Sequence, residues 1–417
     1  MIRVDLVVDE IAELATLAPG PIPRTGPAMR ELGIVRDAAI GIAGRRIAWI
    51  GPARRRRSEV RLAAGARTVS ANGGIVVPGL VDAHTHALFA GDRAFELPRK
   101  AAGESYAEIA RSGGGLYATV AATRAASDAI LTDETVGRLE RMVRHGATTI
   151  EVKSGYALDV PGELRLLRLL PRIARRAGVR VVPTFLGAHA VPPEFAGRAD
   201  AYLDRLIADA LPTIAREGLA RFCDVFCEPG FFSPAQAERL LRAALAFGLG
   251  AKIHTEEFVA SGGAAVAARV RATSADHLLQ ATPDDARRLA AAGVTAVLLP
   301  LTAFAATRAH HVPARAMVDA GVPVALGTDC SPNAWVESMP LVLAHAVHGG
   351  GLAPAEALCA ATVNAAHACG LEDAGRLVVG GPADFAQFAL RSLDQLGYRF
   401  DARPASIYRQ GKPVFSG

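Results

Sequence analysis

Four residues in this sequence have the side chains and the positions that a hydrolytic metal site requires. His84 and His86 lie in the run Val-Asp-Ala-His-Thr-His, His254 lies in Lys-Ile-His-Thr-Glu-Glu, and Asp329 ends Val-Ala-Leu-Gly-Thr-Asp. Each follows or ends a short apolar run of the kind that forms a buried strand. Three neutral imidazoles and one carboxylate suit a divalent or trivalent metal that keeps one position open for water. This set predicts a metal-dependent hydrolase.

These four residues lie far apart in the chain, so they can meet only if the fold brings several strand ends together. From residue 75 onward, short apolar runs alternate with helical patterns. Continuous apolar runs without polar alternation are typical of parallel strands covered on both faces. The predicted strands are Ile75 to His86, Thr148 to Lys153, Arg180 to His189, Phe222 to Glu228, Ala251 to Glu257, Thr273 to Leu278, Val294 to Leu299 and Val322 to Asp329. The pattern predicts an α/β fold, a (β/α)8 TIM barrel.

The helical segments between these strands carry specific start and stop signals. Ser233 and Pro234 open one predicted helix, and Gln236 is placed as in a capping box. Pro161 begins another helix, whose apolar residues keep helical spacing until Gly178. These signals support the alternation of strand and helix.

The same register places further polar side chains at the carboxyl ends of strands, where barrel enzymes have their active sites. His189 ends the third predicted strand, Glu257 the fifth and His277 the sixth. A single buried histidine is more often a hydrogen-bonded core residue, but a pattern shared by several strand ends favours a site. Core or solvated roles are predicted for the histidines in helical stretches or loops: His145, His310, His311, His345, His348 and His367.

The two ends of the chain are predicted to form a second unit. Residues 1–74 and 373–417 contain short strand-like pieces, such as Arg3 to Val8 and Ser406 to Val414. The N-terminal pieces are too few for a stable sheet alone, so pairing with the C-terminal pieces is expected. The prediction is a small β-sandwich domain from both ends, with the barrel spanning residues 75–372.

Composition excludes several classes of protein. The formal net charge is +5, and the basic run Arg54 to Arg57 could suggest nucleic acid, but no aromatic residues alternate with these arginines. We predict a solvated turn there and no nucleic-acid partner. No stretch is apolar for long enough to predict a transmembrane helix, and the acidic N-terminus does not resemble a secretion signal. Five scattered cysteines do not form a disulfide framework, so a cytoplasmic protein is expected.

The sequence resembles the amidohydrolase superfamily and, within it, the imidazolonepropionases, which open the imidazolone ring in histidine degradation. The resemblance covers nearly the whole chain. It is carried by Pro-Gly-Leu-Val-Asp-Ala-His-Thr-His from Pro78, Gly-Asp-Arg from Gly91, Ser-Gly-Gly-Gly from Ser112, Glu-Val-Lys-Ser-Gly-Tyr from Glu151, Gly-Ala-His-Ala-Val-Pro-Pro-Glu from Gly187, Lys-Ile-His-Thr-Glu-Glu from Lys252 and Ser-Ala-Asp-His-Leu from Ser274. The first motif is general to the superfamily, and the middle ones are specific to the imidazolonepropionases.

The resemblance implies one zinc or iron ion per subunit, which polarises the ring carbonyl and lowers the pKa of water. Binuclear relatives carry a bridging lysine on the fourth strand, where this chain has Glu228. Lys153 ends the second strand instead and is predicted to support the turn at Gly155 and Tyr156. Glu257, His277 and Asp329 are the implied catalytic residues, and any of the three could accept the proton of the water first. Glu257 would deliver it to the departing ring nitrogen, and His277 would stabilise the oxyanion or orient the water.

The resemblance also implies a small anionic heterocyclic substrate, 4-imidazolone-5-propanoate, and N-formimidoyl-L-glutamate as the product. Arg93 would bind the propionate through its guanidinium fork. Tyr156 and His189 would complete the substrate contacts, with Tyr106 as a further candidate. A homodimer is expected, as is typical of the family.

One motif departs from the family pattern. Many members have Asn-Pro-Gly after the metal-binding aspartate, whereas this chain has Cys330, Ser331, Pro332, Asn333 and Ala334. Product contacts are assigned to Ser331 and Asn333, although serine is shorter than asparagine.

Two other functions fit parts of the sequence. A deaminase of a nucleobase-like heterocycle would also use one metal and a glutamate three residues after the metal histidine. The carboxylate-binding Arg93 separates the two, because a deaminase of neutral heterocycles does not need it. A non-catalytic scaffold could retain the barrel, but all four ligands and Glu257 are present here.

Overall fold

The fold was analysed in a computed structural model, which describes residues 1–104, 108–109, 112–305 and 312–416. The strands are β1 (Ile2–Ala15), β2 (Ile34–Ala43), β3 (Arg46–Pro52), β4 (Val60–Ser70), β5 (Ile75–Pro78), β6 (Leu80–Asp82), β7 (Ala147–Lys153), β8 (Arg180–Ala188), β9 (Phe222–Cys227), β10 (Gly250–Thr255), β11 (Ser274–His277), β12 (Thr295–Leu298), β13 (Val324–Leu326), β14 (Phe385–Phe388), β15 (Pro404–Arg409) and β16 (Lys412–Ser416).

Helices connect these strands. The α-helices are Ala53–Glu59, Leu97–Ala101, Gly115–Ala125, Asp128–Arg144, Val160–Ala177, Ala199–Arg205, Leu211–Glu217, Pro234–Ala246, Gly263–Val270, Pro283–Ala292, Pro300–Ala305, Ala314–Asp319, Met339–His348, Pro354–Ala360, Val363–Ala368 and Asp394–Tyr398. Short 3-10 helices cover Gly26–Arg30, Ala94–Glu96 and Pro193–Phe195, and a π-helical turn covers Leu206–Ala210.

Strands β6 to β13 form a parallel sheet in chain order that closes on itself. The closure between β13 and β6 is made by backbone hydrogen bonds from Asp329 N to His84 O (3.0 Å) and from His86 N to Cys330 O (2.9 Å). The predicted (β/α)8 barrel is therefore confirmed. These hydrogen bonds involve His84, His86 and Asp329, which are predicted metal ligands. Pairing between the first and last barrel strands therefore brings these ligands together.

Gly79 separates two strands that the sequence analysis predicted as one. Strand β5 pairs with β1 and β14, whereas β6 pairs with β7. Gly79 N donates to Asp384 O (2.9 Å), and a Cβ at Gly79 would collide with the side chain of Thr148. Only glycine allows so close an approach. The prediction of a single barrel strand from Ile75 to His86 is wrong, because the chain changes sheets at Gly79.

The terminal segments form a separate sheet, as predicted. Its strand order is β16-β15-β14-β5-β1-β2-β3, with β4 parallel to β1. Strand β5 thus joins the C-terminal hairpin to the N-terminal strands. Strand β4 was not predicted, because most of its side chains are exposed or half-exposed and it lacks an apolar pattern.

The basic run Arg54 to Arg57 lies in the helix Ala53–Glu59, not in the predicted turn. Two of its side chains form ion pairs within the terminal domain: Arg56 lies 2.8 Å from Asp9, and Arg55 lies 2.6 Å from Glu59. These ion pairs neutralise part of the positive charge of the arginine run.

The helix signals read from the sequence agree with the structure. Ser233 and Gln236 form a reciprocal capping box, with bonds of 3.3 Å and 3.0 Å. The helix Val160–Ala177 ends at Gly178, whose φ of 65° lies in the left-handed region that favours glycine. None of the described helices combines the length and apolar character needed to cross a bilayer. All five cysteines are free and buried.

Candidate metal centre and active site

The four predicted ligands come together at the carboxyl ends of the barrel strands. His86 Nε2 lies 3.2 Å from His84 Nε2 and 3.1 Å from His254 Nε2. Asp329 Oδ1 lies 3.5 Å from His84 Nε2 and 3.4 Å from His86 Nε2. All four residues are at most 5% exposed. The donor atoms of His84, His86 and Asp329 lie within 4.8 Å of one another, and those of His84 and His254 form a second such group with His277.

These separations fit a bound metal ion. Metal–ligand bonds of about 2.0–2.2 Å, in geometries between octahedral and tetrahedral, place neighbouring donor atoms about 2.8–3.6 Å apart. The observed distances of 3.1 to 3.5 Å fall within that range. The chemistry of the donor set, three nitrogens and one oxygen, agrees with the geometry.

Buried carboxylates hold two of the imidazoles in the orientation that a metal needs. His84 Nδ1 donates to Asp276 Oδ2 (2.6 Å), and His254 Nδ1 donates to Asp224 Oδ1 (3.1 Å). A carboxylate accepts hydrogen bonds only, so each Nδ1 carries the proton and each Nε2 keeps its lone pair for the metal. The sequence analysis did not assign Asp224 a role, although a carboxylate inside the apolar run Phe-Cys-Asp-Val-Phe-Cys is the signal that could have identified it.

A hydroxyl orients the carboxylate ligand in a similar way. Thr302 Oγ1 donates to Asp329 Oδ2 (2.7 Å), which leaves Oδ1 facing the imidazoles of His84 and His86. Burial raises the pKa of Asp329 to about 6, and the hydrogen bond from Thr302 opposes this effect. A metal ion favours the ionised form of such a carboxylate.

Lys153 lies beneath the metal site, inside the barrel, and is fully buried. Its Nζ lies 2.8 Å from Glu151 Oε1, 2.8 Å from Asp224 Oδ2 and 3.7 Å from Asp276 Oδ2. Burial lowers the pKa of Lys153, but these carboxylates outweigh burial and raise it above its ordinary value. The prediction that Lys153 supports the Gly155 and Tyr156 turn is wrong, since its ammonium contacts the carboxylates that orient His84 and His254.

Three imidazoles of the site, those of His84, His86 and His277, are in the neutral form. Burial lowers the pKa values of His84, His86 and His277 well below their ordinary value. They are therefore neutral at pH 7, as a metal ligand or a neutral hydrogen-bonding group must be. Against the effect of burial, the hydrogen bonds from His254 and Lys153 and the charge of the Lys153 ammonium hold the pKa of Asp224 well below its usual range.

Glu257 and His277 lie next to each other beside the ligands. Glu257 Oε2 is 3.8 Å from His277 Nε2, and the ring centroids of His277 and His254 are 5.3 Å apart. The backbone nearby is left-handed at His277 (φ 75°) and Asp329 (φ 51°). Histidine and aspartate adopt this conformation more readily than most residues other than glycine, and it occurs often at functional sites.

His189 and Tyr156 form the next part of the pocket wall. The His189 ring stacks on His86, with centroids 4.9 Å apart and planes inclined by 22°. The Tyr156 ring centroid lies 5.3 Å from that of His189. His189 Nδ1 donates to Gly155 O (3.0 Å), and burial lowers the pKa of His189 to about 3. This neutral imidazole therefore presents Nε2 as an acceptor.

The predicted substrate cation, Arg93, is buried and bound to a carboxylate. Its Nε and Nη2 atoms donate to the two oxygens of Glu96 at 2.7 Å and 2.8 Å. Lys100 Nζ lies 3.7 Å from the same carboxylate and donates to Asn333 Oδ1 (3.1 Å). Ser331 Oγ accepts from Ala334 N (3.2 Å). Arg93 and the loop after Asp329 are thus linked through Glu96 and Lys100, which sequence reasoning did not identify.

Tyr106, the further substrate-contact candidate, and His310 and His311 lie outside the described residues. Glu257, His277, His189 and Tyr156 adjoin the ligands, whereas Arg93 is joined to the loop after Asp329 through Glu96 and Lys100. The structure adds five buried polar residues that support the site: Glu151, Lys153, Asp224, Asp276 and Thr302.

Comparison with known sequences identifies the class of enzyme. A model of the amidohydrolase family matches residues 96–415. A closed (β/α)8 barrel with a histidine and aspartate metal site fits that family, and the chain belongs to it. Within the family, the chain belongs with the imidazolonepropionases. It is 45% identical over 384 residues to the imidazolonepropionase of Symbiobacterium thermophilum, covering 91% of this chain and 90% of that protein. It is 44% identical over 416 residues to that of Geobacillus kaustophilus, covering 98% and 97%.

Solved structures share the fold at lower identity. An adenosine deaminase from Xanthomonas campestris, determined with bound zinc, superimposes with a TM-score of 0.68 at 21% identity, over 100% of this chain and 94% of that one. An atrazine chlorohydrolase from Arthrobacter aurescens, complexed with zinc, gives a TM-score of 0.69 at 17% identity, over 99% and 95%. These likenesses show the common architecture.

Proposed function

We propose that this chain hydrolyses the cyclic amide C–N bond of 4-imidazolone-5-propanoate and releases N-formimidoyl-L-glutamate. The observation that carries the proposal is the convergence of His84, His86, His254 and Asp329, with Glu257 and His277 beside them, in a chain at least 40% identical to imidazolonepropionases over most of its length. The proposal thus assigns a metal-binding set and a proton-transfer group to the same barrel mouth.

The four converging residues would hold one zinc or iron ion per subunit. When bound, such an ion supplies Lewis acidity to the substrate carbonyl and lowers the pKa of water. Imidazole nitrogen and carboxylate oxygen suit both metals. Elemental analysis of protein purified without chelators identifies which of them is bound.

Glu257 is assigned as the group that moves the proton. It is 8% exposed, and Oε2 faces His277 Nε2. A carboxylate in this position takes a proton from the attacking water as its oxygen adds to the carbonyl carbon. Glu257 then delivers that proton to the ring nitrogen as the C–N bond breaks. Neutral His277 orients the water or stabilises the developing oxyanion.

Other side chains are assigned to hold the substrate. His189 offers Nε2 as an acceptor, because Nδ1 already donates to Gly155 O, and this suits an N–H group of the imidazolone ring. Tyr156 lies against His189 and supplies a hydroxyl. Arg93 is assigned to the propionate carboxylate. Ser331 and Asn333, in the loop after the metal-binding aspartate, are assigned to the product.

A direct assay tests this function. Purified, metal-loaded protein is supplied with 4-imidazolone-5-propanoate, and loss of the substrate's ultraviolet absorbance is followed, with Asp329→Ala as the inactive control. The wild type should turn over the substrate and release no ammonia. Ammonia release from nucleobases, with no change in 4-imidazolone-5-propanoate, would instead identify a deaminase.

The expectations about assembly and compartment stay predictions. We propose a cytoplasmic homodimer that does not bind nucleic acid or membranes. Light scattering of the purified protein measures the oligomeric state, and fractionation of the native cells tests the compartment.

A further inference from the structure

Glu228 directly follows strand β9 and is buried at 2% exposure, yet the proposed reaction gives it no role. Its Oε1 atom accepts hydrogen bonds from Glu257 N (2.7 Å) and Phe258 N (3.3 Å). The carboxylate therefore binds the backbone of the residue to which proton transfer is assigned.

The turn that carries Glu257 is held from its other side by Glu256. One Glu256 oxygen accepts from Gly262 N (2.9 Å), the other accepts from Ala264 N (3.2 Å), and Thr255 Oγ1 also donates to this carboxylate. Glu256 has a φ of 50°, a left-handed conformation that a glutamate rarely adopts. The turn is thus strained, and it keeps its conformation because the buried carboxylates of Glu228 and Glu256 accept hydrogen bonds from backbone amides in and next to it.

A cavity beside Glu228 makes these hydrogen bonds important for the position of the turn. Glu228 lines a cavity of about 340 Å³ together with Phe231, Ser233 and Ser261. Well-packed segments cannot shift easily, but a segment beside an open cavity can. Without the carboxylate, Glu257 N and Phe258 N would lose their acceptor, and the cavity beside Glu228 would become larger.

We propose that Glu228 is a positioning residue, which fixes the backbone of Glu257 so that its carboxylate faces His277 and the substrate carbonyl. The inference rests on the proposed role of Glu257 as the proton-transfer group. What matters in Glu228 is the reach of its acceptor oxygen: glutamine keeps that oxygen in place, whereas aspartate keeps the charge but is one methylene shorter.

Three variants test the proposal: Glu228→Ala, Glu228→Asp and Glu228→Gln, with Glu217→Ala as a control that removes a carboxylate from an exposed ion pair with Arg168. A misplacement of about 1 Å in an active site can lower the rate about 100-fold. We expect kcat to fall about 10- to 100-fold in the alanine and aspartate variants, with KM within about twofold and metal content unchanged. The glutamine variant should retain most of the wild-type kcat.

Comparing kcat of the Glu228→Asp and Glu228→Gln variants tests the proposal even if the alanine variant does not fold. An aspartate variant more active than the glutamine variant would overturn the proposal, as would loss of metal in step with loss of activity. Hydrogen exchange of the peptide spanning residues 257–258 gives a readout that needs no substrate. Protection of the Glu257 and Phe258 amides from exchange should fall in the alanine and aspartate variants and persist in the glutamine variant. Unchanged protection in all three overturns the positioning role, whereas a wild type inactive on 4-imidazolone-5-propanoate contradicts only the proposed reaction.

Discussion

His254 Nδ1 lies 3.1 Å from Asp224 Oδ1, and both residues are almost completely buried. The pair crosses from strand β10 to the neighbouring strand β9. Because the carboxylate can only accept, the bond fixes both the tautomer of the imidazole and the direction of its ring. The ability of His254 to bind a metal therefore depends on a residue that does not itself touch the metal.

Asp224→Asn should weaken metal binding. The substitution keeps the shape of the side chain but removes its charge, so the His254 ring is held less firmly and its Nε2 is a weaker ligand. Loss of such a supporting contact costs about 10- to 100-fold in metal affinity. Competition with a chelator at fixed pH measures the dissociation constant. Asp209→Ala, which alters an exposed ion pair with Arg205, is the control. A dissociation constant equal to that of the wild type would show that Asp224 has no part in orienting His254.

Lys153→Met should strongly destabilise the fold. The ammonium compensates three buried carboxylates, on Glu151, Asp224 and Asp276. Removing one partner of a buried ion pair leaves an uncompensated charge and costs about 3–5 kcal/mol. Urea unfolding of the metal-free protein measures the loss. Arg168→Met breaks an exposed ion pair with Glu217 and should cost much less, because solvent screens exposed ion pairs. Equal losses in the two variants would contradict this account of the network.

The location of the metal site could be predicted because it depends on strand ends alone. In a parallel barrel, all carboxyl ends lie on one face, so placing His254 and Asp329 at the ends of two strands is enough to bring them together. Small errors in the strand bounds do not matter. The predicted end at Asp329 lies three residues beyond the observed Leu326.

The buried ion pairs around Lys153, beneath the metal site, could not be predicted from strand ends in the same way. Lys153 and Glu151 are two residues apart on one strand and so share a face, but the sequence does not show which carboxylates from other strands meet them inside the barrel. Arg93 was assigned to substrate without its partner Glu96, because that contact depends on the path of an irregular loop. The change of sheets at Gly79 depends likewise on pairing with distant strands.

Acid should destabilise the contact between the N-terminal segment and the barrel through Glu356. Burial raises the pKa of Glu356, but the bond from Ala353 N and the ion pairs with Arg30 and Arg315 outweigh burial and hold the pKa below its ordinary value of 4.5. A lowered pKa in the folded state contributes stability above pH 4.5, and this contribution is lost as the pH falls through the folded-state value.

The free energy of unfolding should therefore differ between wild type and Glu356→Gln at pH 7, and the difference should shrink on acidification below pH 4.5. Urea unfolding at a series of pH values measures it. The exposed Glu372→Gln is the control and should leave the pH profile unchanged. A difference that stays constant from pH 7 to pH 3 would mean that the charge of Glu356 is not what stabilises this contact.

Arg93→Gln should weaken the use of the anionic substrate specifically. Glu96 binds the guanidinium through Nε and Nη2 and fixes its plane, and the proposed substrate carboxylate would accept further hydrogen bonds from it. A hydrogen bond to a charged group contributes about 1.5–3 kcal/mol, so kcat/KM for 4-imidazolone-5-propanoate should fall about 10- to 100-fold. An analogue with a neutral propionamide tail separates charge recognition from general damage, because the wild type and the variant should use it about equally. The exposed Arg287→Gln should leave both rates unchanged. If Arg93→Gln slows both substrates to the same extent, the guanidinium supports the loop around Glu96 and does not bind the propionate.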